Sequence, residues 1–508
     1  LQRAVIDYKS DLSPLYLSPL WNDIVPLDDV VNVNGKPGMK FIDAIKINTS
    51  IGFPLTGVKS DYMEDVDVFD DDGLLHRKFK PEIMAEISRC ENCYLNGERA
   101  YPVAKACKKD EILSKEKCRI FYGNSIALTF MVRKYFLPVI RVLMMNPLKS
   151  ECAVGINSHG PEWDALMKFL KSKNCERFLA GDYSKFDQKL TSQILLAGLR
   201  LLIDFASLCP GYGENDLRAM RAMSGDIVYS VIAFDGNLIG LSNGGHISGN
   251  PLTAVLNSIC NSLNMRCCFY ILYPDATSFR DACALGTYGD DNAGSVSDEY
   301  PEFNIKNCSE IMARFGQTYT MPDKESELTD YMNIADLEFL KRKSVFHPEL
   351  NCEIGALVDD SCFKMLHCFV REKNSPLSEE EACAMNIDTA LMEWFNHGRD
   401  TYELRREQMR EVAKRSGLEN LCQSLNQSYD ERVLTWRERY EPHSGREHPP
   451  LYTKALAEVQ MKVVAMNSNI ICRTVGEVDL AFQTTQCGCQ HLLIMEVKDS
   501  ILPSARYK

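Results

Sequence analysis

Three aspartates in this chain are spaced as if to meet around one charged ligand. Asp182 follows the short run Glu176 to Ala180, and Asp290 and Asp291 close Tyr288-Gly-Asp-Asp291 about a hundred residues later. Transfer of a nucleotidyl group uses one divalent cation to activate the attacking hydroxyl and another to steady the triphosphate. Magnesium favours a few carboxylates plus phosphate oxygens for that work. At least two carboxylates must then converge from separate strands. Gly-Asp-Asp taken alone reads equally well as a hairpin turn, because Gly and Asp are the usual turn residues. Its neighbours have to decide.

The elements around these acids can be read from pattern. The run Glu176 to Ala180 reads as a strand leading into an acidic turn at Gly181-Asp182, and Ser192 to Leu208 is apolar at helical spacing. Around Gly289 two β-prone arms, Thr287-Tyr288 and Asn292 to Val296, predict a hairpin with the acids at its tip, where glycine allows a tight turn. All these acids are expected on turns, not helices. Residues 1 to about 150 carry turn signals such as Asn34-Gly35-Lys36-Pro37-Gly38 and Asp70-Asp71-Asp72-Gly73 and read as loop-rich. Ser378 to Trp394, Arg399 to Ser416 and Gln427 to Tyr440 are amphipathic helix candidates that suggest a separate helical lobe.

With 508 residues, 45% hydrophobic and 25% charged, the chain can bury a sizeable core in two or three subdomains. A net charge of −13 excludes a protein that coats nucleic acid with its whole surface. Against that background the strip Lys105 to Arg119, with Lys105, Lys108, Lys109, Lys115, Lys117 and Arg119, stands out as a local basic patch able to attract triphosphate. Twenty cysteines at irregular spacing indicate reduced thiols in a cytosolic setting. No apolar run is long enough for a membrane helix; the nearest, Tyr135 to Met145, is interrupted by Arg141. Opening on Leu1 rather than Met suggests a processed or trimmed product.

From about residue 49 to 342 the chain resembles the RNA-dependent RNA polymerases of picornavirus-like positive-strand RNA viruses. Asp182-Tyr-Ser-Lys-Phe-Asp187 resembles motif A, which implies Asp182 as a metal ligand and Asp187 as a ribose contact. Gly244-Gly-His-Ile-Ser-Gly-Asn-Pro-Leu-Thr-Ala-Val-Leu-Asn257 resembles motif B, with Ser248, Gly249, Thr253 and Asn257 at the matching positions. Thr253 and Asn257 share a helix face, and such a pair can hydrogen-bond Asp187 and hold it ready for the 2′-hydroxyl. Tyr288 to Asp291 is similar to motif C, with Asp290 as ligand and Asp291 as auxiliary. Thr320-Met-Pro-Asp-Lys324 looks like motif D, which implies that Lys324 gives a proton to the leaving pyrophosphate.

Phe339-Leu-Lys-Arg342 resembles the primer-gripping hairpin of motif E, with Lys341 and Arg342 towards phosphate. Lys109, Lys117 and Arg119 resemble the triphosphate contacts of motif F, Arg119 being the firmer assignment. Thr49-Ser-Ile-Gly-Phe-Pro54 resembles motif G, which implies template contacts from Thr49, Ser50 and Gly52, while Phe53 is expected to pack. Ile45 to Leu55 and Gly244 to Asn257 look closest to insect viruses of the iflavirus or dicistrovirus kind.

The resemblance implies an α+β right hand with fingers, an antiparallel palm sheet flanked by helices, and a mostly helical thumb. Its limits would be fingers at 1–175, palm at 176–190, a fingers insert or palm at 191–240, palm again at 241–345, and thumb with extension at 346–508. It also implies Mg2+, with Mn2+ able to substitute, an RNA template and primer, nucleoside triphosphates, a protein primer and other replication proteins, at membrane-associated sites in the host cytoplasm. A reverse transcriptase shares the Tyr-x-Asp-Asp hairpin, but Asp187 with Asn257 welcomes the 2′-hydroxyl that such enzymes exclude. A non-catalytic RNA-binding protein would use the acids as turns only. Cys90-Glu-Asn-Cys93 and Cys487-Gly-Cys489-Gln-His491 prompt a zinc site, though neither has a second pair at finger spacing.

Overall fold

The computed structural model describes residues 1–69, 75–109, 119–174, 176–367 and 377–441, and the backbone of the strands Asp479–Gln486 and Cys489–Glu496. The turn expected at Asp70 to Gly73 lies outside the described residues. The chain divides into two units, one of Leu1–Gly155 with Phe169–Leu340, the other of Ile156–Lys168 with Lys341–Lys508. This differs from the expected limits at 175 and 345. Ile156–Lys168 joins the second unit because Ser158 O accepts from Gly355 N at 3.0 Å and Asp164 Oδ1 accepts from Glu353 N at 3.1 Å.

The first unit carries two four-stranded sheets. In one, Phe178–Tyr183 pairs antiparallel with Asp291–Val296 on one side and Tyr319–Thr320 on the other, and Cys283–Tyr288 completes it beyond Asp291–Val296. Phe178, Leu179 and Ala180 are all fully buried, so this strand is covered on both faces and reads as an apolar run rather than an alternation. Tyr288 pairs with Asp291, which leaves Gly289 and Asp290 as a two-residue hairpin loop with Gly289 at φ 63°. Asp182 lies inside its strand, and Asp187 in the one-turn helix Phe186–Lys189. The expectation that every acid sits on a turn therefore holds only for Asp290.

The second sheet runs Ile120–Gly123, Val103–Lys108, Val231–Phe234, Asn237–Gly240, with a parallel pairing only between its two central strands. It joins the start of the basic strip to the insert between Asp187 and Gly244.

The first 150 residues are not loop-rich: they include the helices Gln2–Tyr16, Pro81–Leu95 and Ile126–Met145. The last is buried on nearly every side, so it shows no amphipathic stripe. No helix among the described residues is long and apolar enough to cross a membrane. The helix Thr253–Leu272 is likewise enclosed, packed by Gln2–Tyr16, Ser192–Ala206, Ile305–Arg314 and the strand Cys283–Tyr288.

In the second unit the hairpin Arg342–His347 with Cys352–Leu357 is followed by the helices Glu379–Phe395, Arg399–Ser416 and Tyr429–Tyr440. Their core gathers Leu391, Trp394, Phe395, Tyr402 and Tyr429. Two of these helices start with reciprocal caps, Ser378 with Glu381 and Ser428 with Glu431, each satisfying two otherwise orphaned backbone donors. All three lie within two residues of the sequence expectation.

Candidate active site

A cavity of about 680 Å³ in the first unit is lined by Asp182, Asp187, Asp290, Lys324, Arg119 and Ser248, among others. Strand pairing brings the acids there. Phe178–Tyr183 and the Gly289-Asp290 loop belong to one sheet, so Asp182 and Asp290 emerge at the same end. Tyr319–Thr320 pairs next to Asp182, and the chain beyond it returns Lys324, whose Nζ lies 3.0 Å from Asp182 Oδ2. Asp187 and Asp290 keep solvent-exposed faces within this concave wall. Desolvation is the main cause holding the Asp290 carboxyl above the usual carboxylate range; the charges of Asp187 and Asp182 add to it, while a backbone hydrogen bond and Lys324 oppose it. Asp187 is also raised by desolvation, against the opposing effects of Asn257 and Arg119.

Asp187 is held from behind. Asn257 Nδ2 donates to Asp187 Oδ1 at 3.0 Å, and Asn257 Oδ1 lies 2.7 Å from His246 Nδ1. Thr253, expected to share this task, does not: its Oγ1 is buried without a hydrogen-bond partner among the described residues. The loop before the helix docks on the strand Ile120–Gly123, where Ser248 Oγ accepts from Tyr122 N at 3.2 Å. Gly249 makes this approach possible, since it sits at φ 88° and a Cβ there would lie 2.0 Å from Tyr122 O.

One set of residues escaped the sequence reading. Along Thr253–Leu272, Asn261 Nδ2 donates to Asp290 O at 2.8 Å, with longer contacts to Gly289 O at 3.2 Å and Asp291 O at 3.3 Å. Ser258 Oγ accepts from Gly289 N at 2.8 Å. The helix therefore grips the hairpin tip by its backbone. The signal was available: Thr253, Asn257 and Asn261 recur every four residues on a helix otherwise rich in apolar side chains.

The remaining expected residues are placed differently. Asp291 starts its strand opposite Tyr288 and is not among the cavity-lining residues, and neither are Thr253 and Asn257. Lys109 is exposed and its backbone N donates to Arg119 O at 2.9 Å, whereas Lys117 lies outside the described residues. Thr49 and Ser50 are exposed and bind Lys59, whose Nζ donates to Thr49 Oγ1 at 2.5 Å and Ser50 O at 2.9 Å. Gly52 is buried, and a Cβ there would lie 2.2 Å from Asn124 O, so its smallness serves packing. Phe53 is half-buried.

In the second unit Lys341 is exposed, but Arg342 departs from its expected role. Its guanidinium makes a two-pronged pair with Glu393 at 2.7 and 2.8 Å and also donates to Gly355 O at 2.8 Å, which commits it to internal structure.

The carboxylates at the cavity offer oxygen donors only, which suits a hard divalent cation such as Mg2+ or Mn2+. The accumulation of Asp182, Asp187 and Asp290, and the elevated proton affinity it contributes to at Asp290, fits added positive charge there. Zinc at Cys90 and Cys93 does not fit. Arg89 donates to both sulfurs, and burial, with nearby Glu86, pushes the Cys90 thiol up to about 12, disfavouring the thiolate a metal needs. Cys487 to His491 fall outside the residues whose side chains are described.

Sheet, hairpin and cavity together define a right-hand polymerase fold. A Sicinivirus 3Dpol RNA-dependent RNA polymerase shares it at a TM-score of 0.65 and 20% sequence identity over 85% of both chains. Residues 27–369 match the viral RNA-dependent RNA polymerase family, and this chain belongs to that family. It is 28% identical over 397 residues, 73% of its length, to the replicase polyprotein of Drosophila C virus, and 30% identical over 334 residues, 63% of its length, to that of Cricket paralysis virus. The genome polyprotein of Deformed wing virus is 28% identical over 333 residues, 62% of this chain and 11% of that protein. The chain spans 22% of the Drosophila C virus polyprotein and 18% of the Cricket paralysis virus one. These relatives agree with the iflavirus and dicistrovirus likeness read from the sequence.

Proposed function

We propose that this chain copies RNA by joining nucleoside triphosphates, chosen by pairing with a template, to the 3′ end of an RNA primer. The observation that carries this reading is the convergence of Asp182, Asp187, Asp290 and Lys324 on one cavity, with Lys324 bonded to Asp182. Asp182 and Asp290, with Asp291 as the next residue in the chain, would hold Mg2+ or Mn2+, which when bound would supply activation of the 3′-hydroxyl and neutralisation of the triphosphate. The hydroxyl gives up its proton to solvent and attacks the α-phosphorus in line, the bond to pyrophosphate breaks, and Lys324 gives the departing oxygen a proton.

Lys109, Lys117 and Arg119 draw the triphosphate to the carboxylates, an attraction that weakens with salt. Asp187, steadied by Asn257, accepts from the ribose 2′-hydroxyl, and Ser248 with Gly249 shapes the adjoining loop. Thr49, Ser50 and Gly52 form part of a template-contacting segment and Lys341 meets the primer backbone; Arg342 does not take part. Fingers, palm and thumb labels follow the same reading, as do initiation from a protein primer, association with other replication proteins and work at membrane-associated sites in host cytoplasm. Extension of a primed RNA template in Mg2+ tests it: incorporation by wild type and its loss in Asp290→Ala are expected, and full incorporation by that variant contradicts the reading.

A further inference from the structure

The amide of Asn257 can face Asp187 in two orientations, and only one is attractive. An ionised Asp187 accepts hydrogen bonds and cannot donate, so the contact at 3.0 Å requires the Nδ2 of Asn257. The amide oxygen is then turned to His246 Nδ1, 2.7 Å away. An amide oxygen also only accepts, so Nδ1 must carry the imidazole proton. His246 is 2% exposed, and its own backbone N donates to Asp187 O at 2.8 Å, which ties the histidine to the element that bears Asp187. Its Nε2 is buried with no partner among the described residues, as expected for the unprotonated nitrogen of a neutral ring. Burial lowers the proton affinity of His246 in spite of its bond to Asn257, so the ring stays neutral.

We propose that His246 is a positioning residue for sugar selection: its Nδ1–H locks the Asn257 amide in the one orientation that can donate to Asp187. The inference rests on Asp187 reading the 2′-hydroxyl. Without the His246 donor, the amide oxygen of Asn257, itself 5% exposed, would lack its partner, and the side chain, tethered at Asp187 alone, would be free to leave the rotamer that donates. Asp187 would then be held less firmly in place. An asparagine at 246 keeps an N–H near the position of Nδ1, whereas leucine fills comparable space without a donor.

The test compares kcat/KM for ATP and dATP on a primed RNA template, in the wild-type chain, His246→Leu, His246→Asn, Asp187→Ala and the double variant of His246→Leu with Asp187→Ala. His246→Leu is expected to lower the ribo-to-deoxy ratio about tenfold, the effect of losing one such hydrogen bond. His246→Asn restores the ratio to within about twofold, and the double variant falls no lower than Asp187→Ala alone, because the two residues act in series. An unchanged ratio in His246→Leu beside a lowered one in Asp187→Ala overturns the role of His246 and leaves the polymerase reading standing. No incorporation by wild type overturns that reading and the proposal with it. As a readout on the wild-type chain itself, 15N spectra of the histidine-labelled protein, with the His246 signal assigned by its loss in a folded His246→Asn chain, should show the Nδ1–H tautomer. The Nε2–H tautomer overturns the proposal.

Discussion

Replacing Arg266 with methionine should cost the first unit about 3–5 kcal/mol. Arg266 is fully buried and bonds Glu151 with both ends of its guanidinium at 2.6 and 2.7 Å, Asp7 at 2.9 Å and Asp11 at 3.0 Å. Its guanidinium lies 4.4 Å from the ring centres of Tyr8 and of Phe279. Methionine replaces much of that stem but removes the cation these three carboxylates share, leaving Arg280 at 2.7 Å from Asp11 and 3.9 Å from Glu151, and Glu151 is only 2% exposed. The damage reaches the hairpin too, because Glu151 O accepts from Thr287 N at 2.7 Å and Thr287 Oγ1 at 2.8 Å. A melting temperature lower by about 4–7 °C is expected in thermal denaturation of a unit of this size.

The pH dependence of that loss has a definite sign. Asp11 is already held above the usual carboxylate range, chiefly by desolvation, with Arg280 and Arg266 pulling it down. Removing Arg266 raises it further. A group whose folded pKa is raised favours the fold below its unfolded pKa and loses that contribution as pH rises through the folded value, so the deficit should be smaller near pH 5 than near pH 8. A melting shift under about 1 °C, or a deficit that grows on acidification, would refute the view that Arg266 neutralises a buried acidic cluster.

Two further outcomes test the cavity. Asp187→Ala should narrow the preference for ribo over deoxyribo substrates in single-nucleotide incorporation; an unchanged ratio would remove its assigned role. Asn261→Ala deletes the contacts to the carbonyls of Gly289, Asp290 and Asp291, and the turnover rate should fall about tenfold while secondary structure by circular dichroism is kept. Wild-type turnover in that variant would mean that the tip holds its shape unaided.

What could be read from the sequence was local. Gly289-Asp290 between β-prone arms specifies a hairpin through turn chemistry alone, and the reciprocal caps Ser378 with Glu381 and Ser428 with Glu431 mark helix starts within four residues of chain. What escaped depends on distant partners. Arg342 looked available because Glu393, which binds it, lies far along the chain. Thr253 looked like a partner of Asn257 by helical spacing, yet spacing does not say which polar atom meets Asp187. Ile126–Met145 went unrecognised as a helix for the opposite reason: it is enclosed on nearly all sides, and enclosure erases the periodic stripe by which helices are read. The attachment of Ile156–Lys168 to the second unit follows from tertiary hydrogen bonds that no local pattern encodes.

The most direct test of the account is the extension of a primed RNA template by ATP in Mg2+, wild type against Asp290→Ala, with folding of both checked by circular dichroism. Loss of incorporation by at least about a thousandfold in the variant is predicted, because positioning and charge neutralisation at the carboxylates supply most of the acceleration. Incorporation at the wild-type rate by a folded Asp290→Ala chain would contradict it.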